Sequence, residues 1–408
     1  MVLQYELQRS IQCTYDDNLY IPKTIAFSPG GQYIAAAFGT CVCVWQCSTG
    51  DKEYEVPYEA KALSVAWTDE RQFICGFADG MLLIATIEIG KHKGDINHKL
   101  VGFDPLNSPV EFISLHHSHS SIAIGGDDIV QIWEPSDDGY LKHVITIPPP
   151  PTASRDGRKV KVTSIGWVDR ETIIVSYLND GILMWNVASN GHLRPRPGLP
   201  VRNQCPRGLV APDGRHFVAL SKANAFHLYH IDSCAFLHSF RPDDNAASSP
   251  SYHPALFIHN GSALLGASGS KVFLWDVRTF LSFHEPLSVP SGQLLQLAGE
   301  CAASTDQFLI AGSTSTGRIV IWKSHQVLAS RSQLLNNETK AQCPAERFSY
   351  KSATRDRKTP STGVWSYIFG AVIFTVVIVL LNSRTVPLFN RSALLSSESG
   401  TLSSESSQ

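Results

Sequence analysis

The chain has 408 residues, with 34 Lys and Arg against 36 Asp and Glu, for a formal charge of -2. So even a balance provides no basic field to recruit nucleic acid. Its nine cysteines are an odd number and include no CxxC pair, which points to free buried thiols in a reducing compartment rather than a disulfide framework.

From the N-terminus to about residue 325 the chain repeats itself every 40 to 52 residues. Each unit ends in a β-branched run closed by an aromatic: CVCVW at Trp45, DIVQIW at Trp133, GILMW at Trp185, AFHLY at Tyr229, KVFLW at Trp275 and RIVIW at Trp322. A degenerate unit, GMLLIATI from Gly80 to Ile87, lacks the aromatic and brings the total to seven. Before each run lies a second strand of small and apolar residues, such as YIAAAFG from Tyr33 and LLGASGS from Leu264. Several units begin with a third strand and a polar turn, as in TIAFSPGGQ at Thr24, SVAWTDERQ at Ser64, SIGWVDRET at Ser164 and LVAPDGRH at Leu209. Short apolar runs broken by SPGG, TDER, DG and NDG predict strands and tight turns. One small sheet cannot bury both faces, so the units must stack around an axis, and radial closure removes their edges.

These features resemble the WD40-repeat β-propeller family over residues 3 to about 325, most closely at KVFLWDV (271–277) and GILMWNV (181–187). The literal Trp-Asp pair occurs in one unit, Trp275–Asp276, and the Gly-His dipeptide expected early in each repeat is missing. The turn aspartate stands at Asp79 and Asp180, with a less regular Asp127–Asp128. The resemblance implies an all-β, seven-bladed propeller (1–325) of divergent type, with an incomplete buried hydrogen-bond network. It also implies that the N-terminal strand, around Leu3 to Cys13, pairs with the last blade and closes the ring. The proline runs PPPP (148–151) and RPRPGLP (194–200) read as stiff loops between blades.

Residues 326–363 are polar and basic and lack a strand pattern, so they are expected to form a disordered tether. Residues 364–381, VWSYIFGAVIFTVVIVLL, lie within an uncharged stretch from Thr359 to Ser383. Eighteen helical residues span about 27 Å, enough for a thin bilayer, and the segment is read as a single transmembrane α-helix. Arg347, Lys351, Arg355, Arg357 and Lys358 precede it, while Arg384 and Arg391 follow. That asymmetry places the propeller in the cytosol and the Ser-rich tail, 382–408, in the lumen, with the endoplasmic reticulum favoured by the short span. Asn390 would then be the one lumenal glycosylation sequon of the three.

No phosphate loop, dinucleotide fingerprint, nucleophile elbow or HExxH occurs, so neither a cofactor nor a small-molecule substrate is implied, and no catalytic set is assigned. His116, His117 and His119 read as polar turn residues or a metal cluster, and Cys41 and Cys43 as core or a soft-metal pair lacking an identified further ligand. Trp67 and Trp167 read as inter-blade core. The basic run Arg155, Arg158, Lys159 and Lys161 is a solvated turn or a contact for acidic lipid or an acidic partner. The leading reading is a membrane-anchored, non-enzymatic scaffold for a protein partner. The alternative rests on a likeness of layout. A cytosolic propeller, one membrane helix and a Ser-rich lumenal tail resemble the endoplasmic-reticulum guanine-nucleotide exchange factor of a small GTPase that starts COPII coat assembly. That family carries a Gly-rich, Lys-containing loop in its first blades, where Phe38 to Gly50 here reads FGTCVCVWQCSTG. A propeller hydrolase is the third reading.

Overall fold

In the computed structural model, described residues run from 2 to 327, except 16–17, 88–95, 102–107, 117–120, 137–140, 151–159, 189–190, 202–206, 222–224, 243–252, 284 and 303–306. The tether beyond Val327, the apolar stretch 364–381, the tail 382–408, Arg347, Lys351, Arg355, Arg357, Lys358 and Asn390 lie outside the described residues. Among the described residues no helix is long and apolar enough to cross a membrane.

The fold is a seven-bladed β-propeller. Blade 1 consists of Thr24–Phe27, Tyr33–Phe38, Cys41–Gln46 and Lys52–Pro57, antiparallel from the innermost strand outward. Blades 2 to 6 repeat that order over 62–101, 112–147, 162–199, 207–240 and 255–288. Blade 7 takes its first three strands from Leu294–Ala302, Gln307–Thr314 and Arg318–Val327. Its outer strand is the N-terminal segment Val2–Gln12, antiparallel to Arg318–Val327 with Tyr5 opposite Ser324 and Ile11 opposite Ile319. The expected closure is therefore present. Each innermost strand packs beside the next, and that of blade 7 returns to that of blade 1.

Burial explains the strand sequences. Ile34, Ala36 and Phe38 face blade 7, while Ala35 and Ala37 on the same strand face blade 2. Both faces are covered, so second and third strands read as continuous apolar runs rather than alternations. Seven buried clusters result, one at each blade interface. Each fully buried Val, Leu, Ile or Phe contributes about 1.5–3 kcal/mol of transfer free energy.

The outer strands obey weaker rules. The segment 194–200, expected to be a stiff loop, instead lies largely in the outer strand of blade 4, Leu193–Leu199. Pro195 sits opposite Trp185, and the register shifts between Ile182 and Met184. An edge strand tolerates proline because its second row of N–H groups has no ladder partner to lose. Blade 6 departs in the other direction: its outer strand shrinks to Leu287–Ser288. Ahead of it the chain touches the third strand irregularly, through a Trp275–Ser282 bridge and a Phe283 N–H donated to Leu274 O at 2.9 Å.

Candidate functional site

The repeat aromatics pack within their own sheets. On the third strands each stands directly across from an apolar residue of the second: Trp45 from Ile34, Trp133 from Ile122, Trp185 from Ile173, Tyr229 from Phe217, Trp275 from Leu264 and Trp322 from Ile310. All are buried except Trp185, which is half-buried. In blade 4 the Trp185 indole N–H and the Ser176 hydroxyl are both without a hydrogen-bond partner among the described residues.

The first strands carry a second set of ties. The Trp67 indole donates to Ala26 O of blade 1 at 3.1 Å, and the Trp167 indole to Ser114 O of blade 3 at 3.2 Å. Thr24 donates to Leu63 O at 3.1 Å, Ser64 to Val110 O at 2.8 Å, and Gly208 N–H to Ser164 Oγ at 3.0 Å. These bonds link neighbouring blades from 1 to 5, and they give Trp67 and Trp167 the core role expected of them. His116 is buried edge-on against Trp167 with ring centres 5.4 Å apart. His117 and His119 lie outside the described residues, as do Arg155, Arg158 and Lys159, while Lys161 pairs with Glu111 at 3.5 Å.

The central channel is bridged by one long cation. Arg207, which opens the inner strand of blade 5, donates through Nη1 to Gln296 Oε1 of blade 7 at 2.9 Å, past the intervening blade 6. Burial draws its pKa below the ordinary arginine value. A separate cavity of about 300 Å³ opens between blades 7 and 1, lined by Gln8, Gln32, Gln46, Cys47 and Lys323.

The surface that stands out is the rim of blades 5 and 6. Of the seven exposed large apolar side chains among the described residues, four lie there: Phe236 at 54% exposure and Leu237 at 38% on blade 5, and Leu281 at 68% and Phe283 at 41% on blade 6. The two rims are joined by Phe280, whose ring stacks on His238 at 4.5 Å with 9° between the planes. Phe280 holds φ at +61°, a left-handed backbone conformation costing on the order of 1–3 kcal/mol for a bulky residue, and the stack holds it there. These rim residues carry no motif. What exposes Leu281 and Phe283 is the shortened outer strand, which breaks off near Pro286, and that proline is the one sequence signal that marks it.

The thiols on blade 1 lie beside a carboxylate that the sequence did not place there. Cys41 Sγ and Cys43 Sγ lie 3.5 Å apart, and Glu55 Oε2 on the neighbouring outer strand is 3.9 Å from Cys43 Sγ. All three ligand atoms fall within 4.8 Å of one another. Both cysteines are fully buried, while the Glu55 side chain is 33% exposed and pairs with Lys52.

Neither a family model nor a curated protein matches this chain.

Proposed function

We propose that the protein is a membrane-anchored scaffold: a divergent WD40-type propeller that binds a protein partner at the cytosolic face of a membrane. The observation that carries the reading is the exposure of four large apolar side chains at the outer edges of blades 5 and 6, Phe236, Leu237, Leu281 and Phe283. Large apolar side chains left in solvent are candidates for contact with a partner. The fitting partner is a protein segment that presents apolar side chains, since burial of Phe and Leu is the main gain such a rim offers. The uncharged stretch 364–381 supplies the anchor, with the basic residues from Arg347 to Lys358 on the cytosolic side and the tail in the lumen of the endoplasmic reticulum. Anchoring raises the effective concentration of a partner on the same membrane.

For the exchange-factor alternative, the relevant region is Phe38 to Gly50. It folds as a tight turn, a strand with 41–45 buried, and a second turn, rather than as a projecting loop.

The test is proximity labelling from the N-terminus, comparing the full chain with one ending at Lys358. The scaffold reading expects a labelled set dominated by one complex and dependent on the anchor. A set dominated by small GTPases and coat proteins would favour exchange activity, and labelling of lumenal proteins alone would reverse the topology.

A further inference from the structure

We propose that Cys41, Cys43 and Glu55 hold a tetrahedral zinc ion, with a water molecule as fourth ligand. Zn–S bonds of about 2.3 Å and Zn–O bonds of about 2.1 Å at tetrahedral angles place two sulfurs about 3.8 Å apart and a sulfur and an oxygen about 3.6 Å apart. The structure holds the two sulfurs at 3.5 Å and the Cys43–Glu55 pair at 3.9 Å, so small rotamer shifts complete the geometry. A two-coordinate soft ion with ligands on opposite sides would need its sulfurs farther apart, at more than about 4 Å. A disulfide fits less well. Residues i and i+2 of a strand are separated by about 6.6 Å, near the upper limit for a bridge.

Position explains the set. On the third strand Cys41 and Cys43 face blade 7, and Glu55 pairs directly with Cys43 across the sheet. Cys13, which immediately follows the closing strand, is buried in the same cluster. Glu55 is one-third exposed and paired with Lys52, and its Oε2 still lies 3.9 Å from the Cys43 sulfur. The Lys52 ammonium donates to the same Glu55 Oε2, so it shares or yields that oxygen when the ion binds, and its charge offsets part of the ligands' negative charge. Binding releases the two thiol protons, so occupancy rises with pH.

The experiment uses the full chain purified in detergent under reducing conditions, stripped with chelator and titrated with Co(II), then Zn(II). The expected result is one cobalt per chain with a thiolate charge-transfer band and tetrahedral ligand-field bands, all displaced by zinc. Cys43→Ser abolishes the signal, Glu55→Gln weakens cobalt binding by about tenfold or more, and Cys75→Ser in blade 2 changes nothing. A chain without the thiolate band, or one whose band survives Cys43→Ser, overturns the site. If Cys43→Ser fails to fold, the partly exposed Glu55→Gln decides, and unchanged affinity there overturns the proposal.

Discussion

Glu70, in the first turn of blade 2, accepts the Ser28 hydroxyl of blade 1 at 2.6 Å. The same carboxylate accepts the backbone N–H groups of Gly30 and Gln32. One side chain thus secures the whole SPGGQ turn of the preceding blade. Removing it leaves three donors to find water, and a hydrogen bond to a charged group is worth about 1.5–3 kcal/mol. Glu70→Ala is expected to lower the thermal midpoint clearly and Glu70→Gln to lower it less, as read by circular dichroism. Equal effects would mean that the charge is idle.

Blade 2 lacks the repeat aromatic because its volume has crossed the sheet. Ala85 occupies the third-strand position, directly across from Phe73, which is fully buried and lies 5.0 Å from Trp67. Phe73→Ala is expected to destabilise by about 3–5 kcal/mol. Adding Ala85→Phe to it should recover part of that loss, while Ala85→Phe alone overpacks. Denaturant melts of the three variants give the coupling, and strictly additive effects would contradict the exchange.

Gly266 on the second strand of blade 6 is hemmed in by rings. A Cβ there would sit 2.6 Å from Phe226 and 2.7 Å from Trp275. Gly266→Ala is therefore expected to cost about 1–3 kcal/mol, a loss visible as a lower melting temperature.

Three histidines tie stability to pH. Burial lowers the pKa of His227, His253 and His259 below the ordinary 6.5, and the Arg241 charge adds to the effect at His227. His259 Nε2 and the Tyr5 hydroxyl are hydrogen-bonded at 2.6 Å, joining the closing strand to blade 6. The unfolded chain therefore binds protons more readily, so stability is full above about 6.5 and falls as pH drops below it. Melting curves across that range check the sign, and His259→Gln should flatten the dependence.

Thiol reactivity should follow burial. Cys301 is exposed, whereas burial pushes the pKa of Cys13 and of Cys47 up to about 12. Both stay protonated at neutral pH, so alkylation followed by mass spectrometry should modify Cys301 well before them.

The inner three strands of most blades were legible because covered faces demand unbroken apolar runs and the intervening turns demand Gly, Asp and Pro. The N-terminal closure was expected from the resemblance to WD40 propellers and not from the strand pattern itself, and Val2–Gln12 does pair with Arg318–Val327. The outer strands were not legible. Arg194 to Leu199 holds two prolines, and only its edge position makes them acceptable. The Cys43–Glu55 pairing depends on a register that shifts between Val44 and Trp45, and no periodicity reveals such a shift. The rim was hidden for another reason: Phe236 in AFLHSF looks the same as a buried aromatic until the strand's neighbours are known.

The most direct measurement of the scaffold account is proximity labelling from the N-terminus of the full chain, wild type against the double variant Phe236→Glu/Leu281→Glu. Both substitutions fall on exposed side chains, so the fold should persist, with an unchanged melting temperature as the control. The account predicts that the dominant labelled complex disappears in the variant while the protein remains on its membrane. The same complex labelled equally by both would contradict the rim as the docking surface.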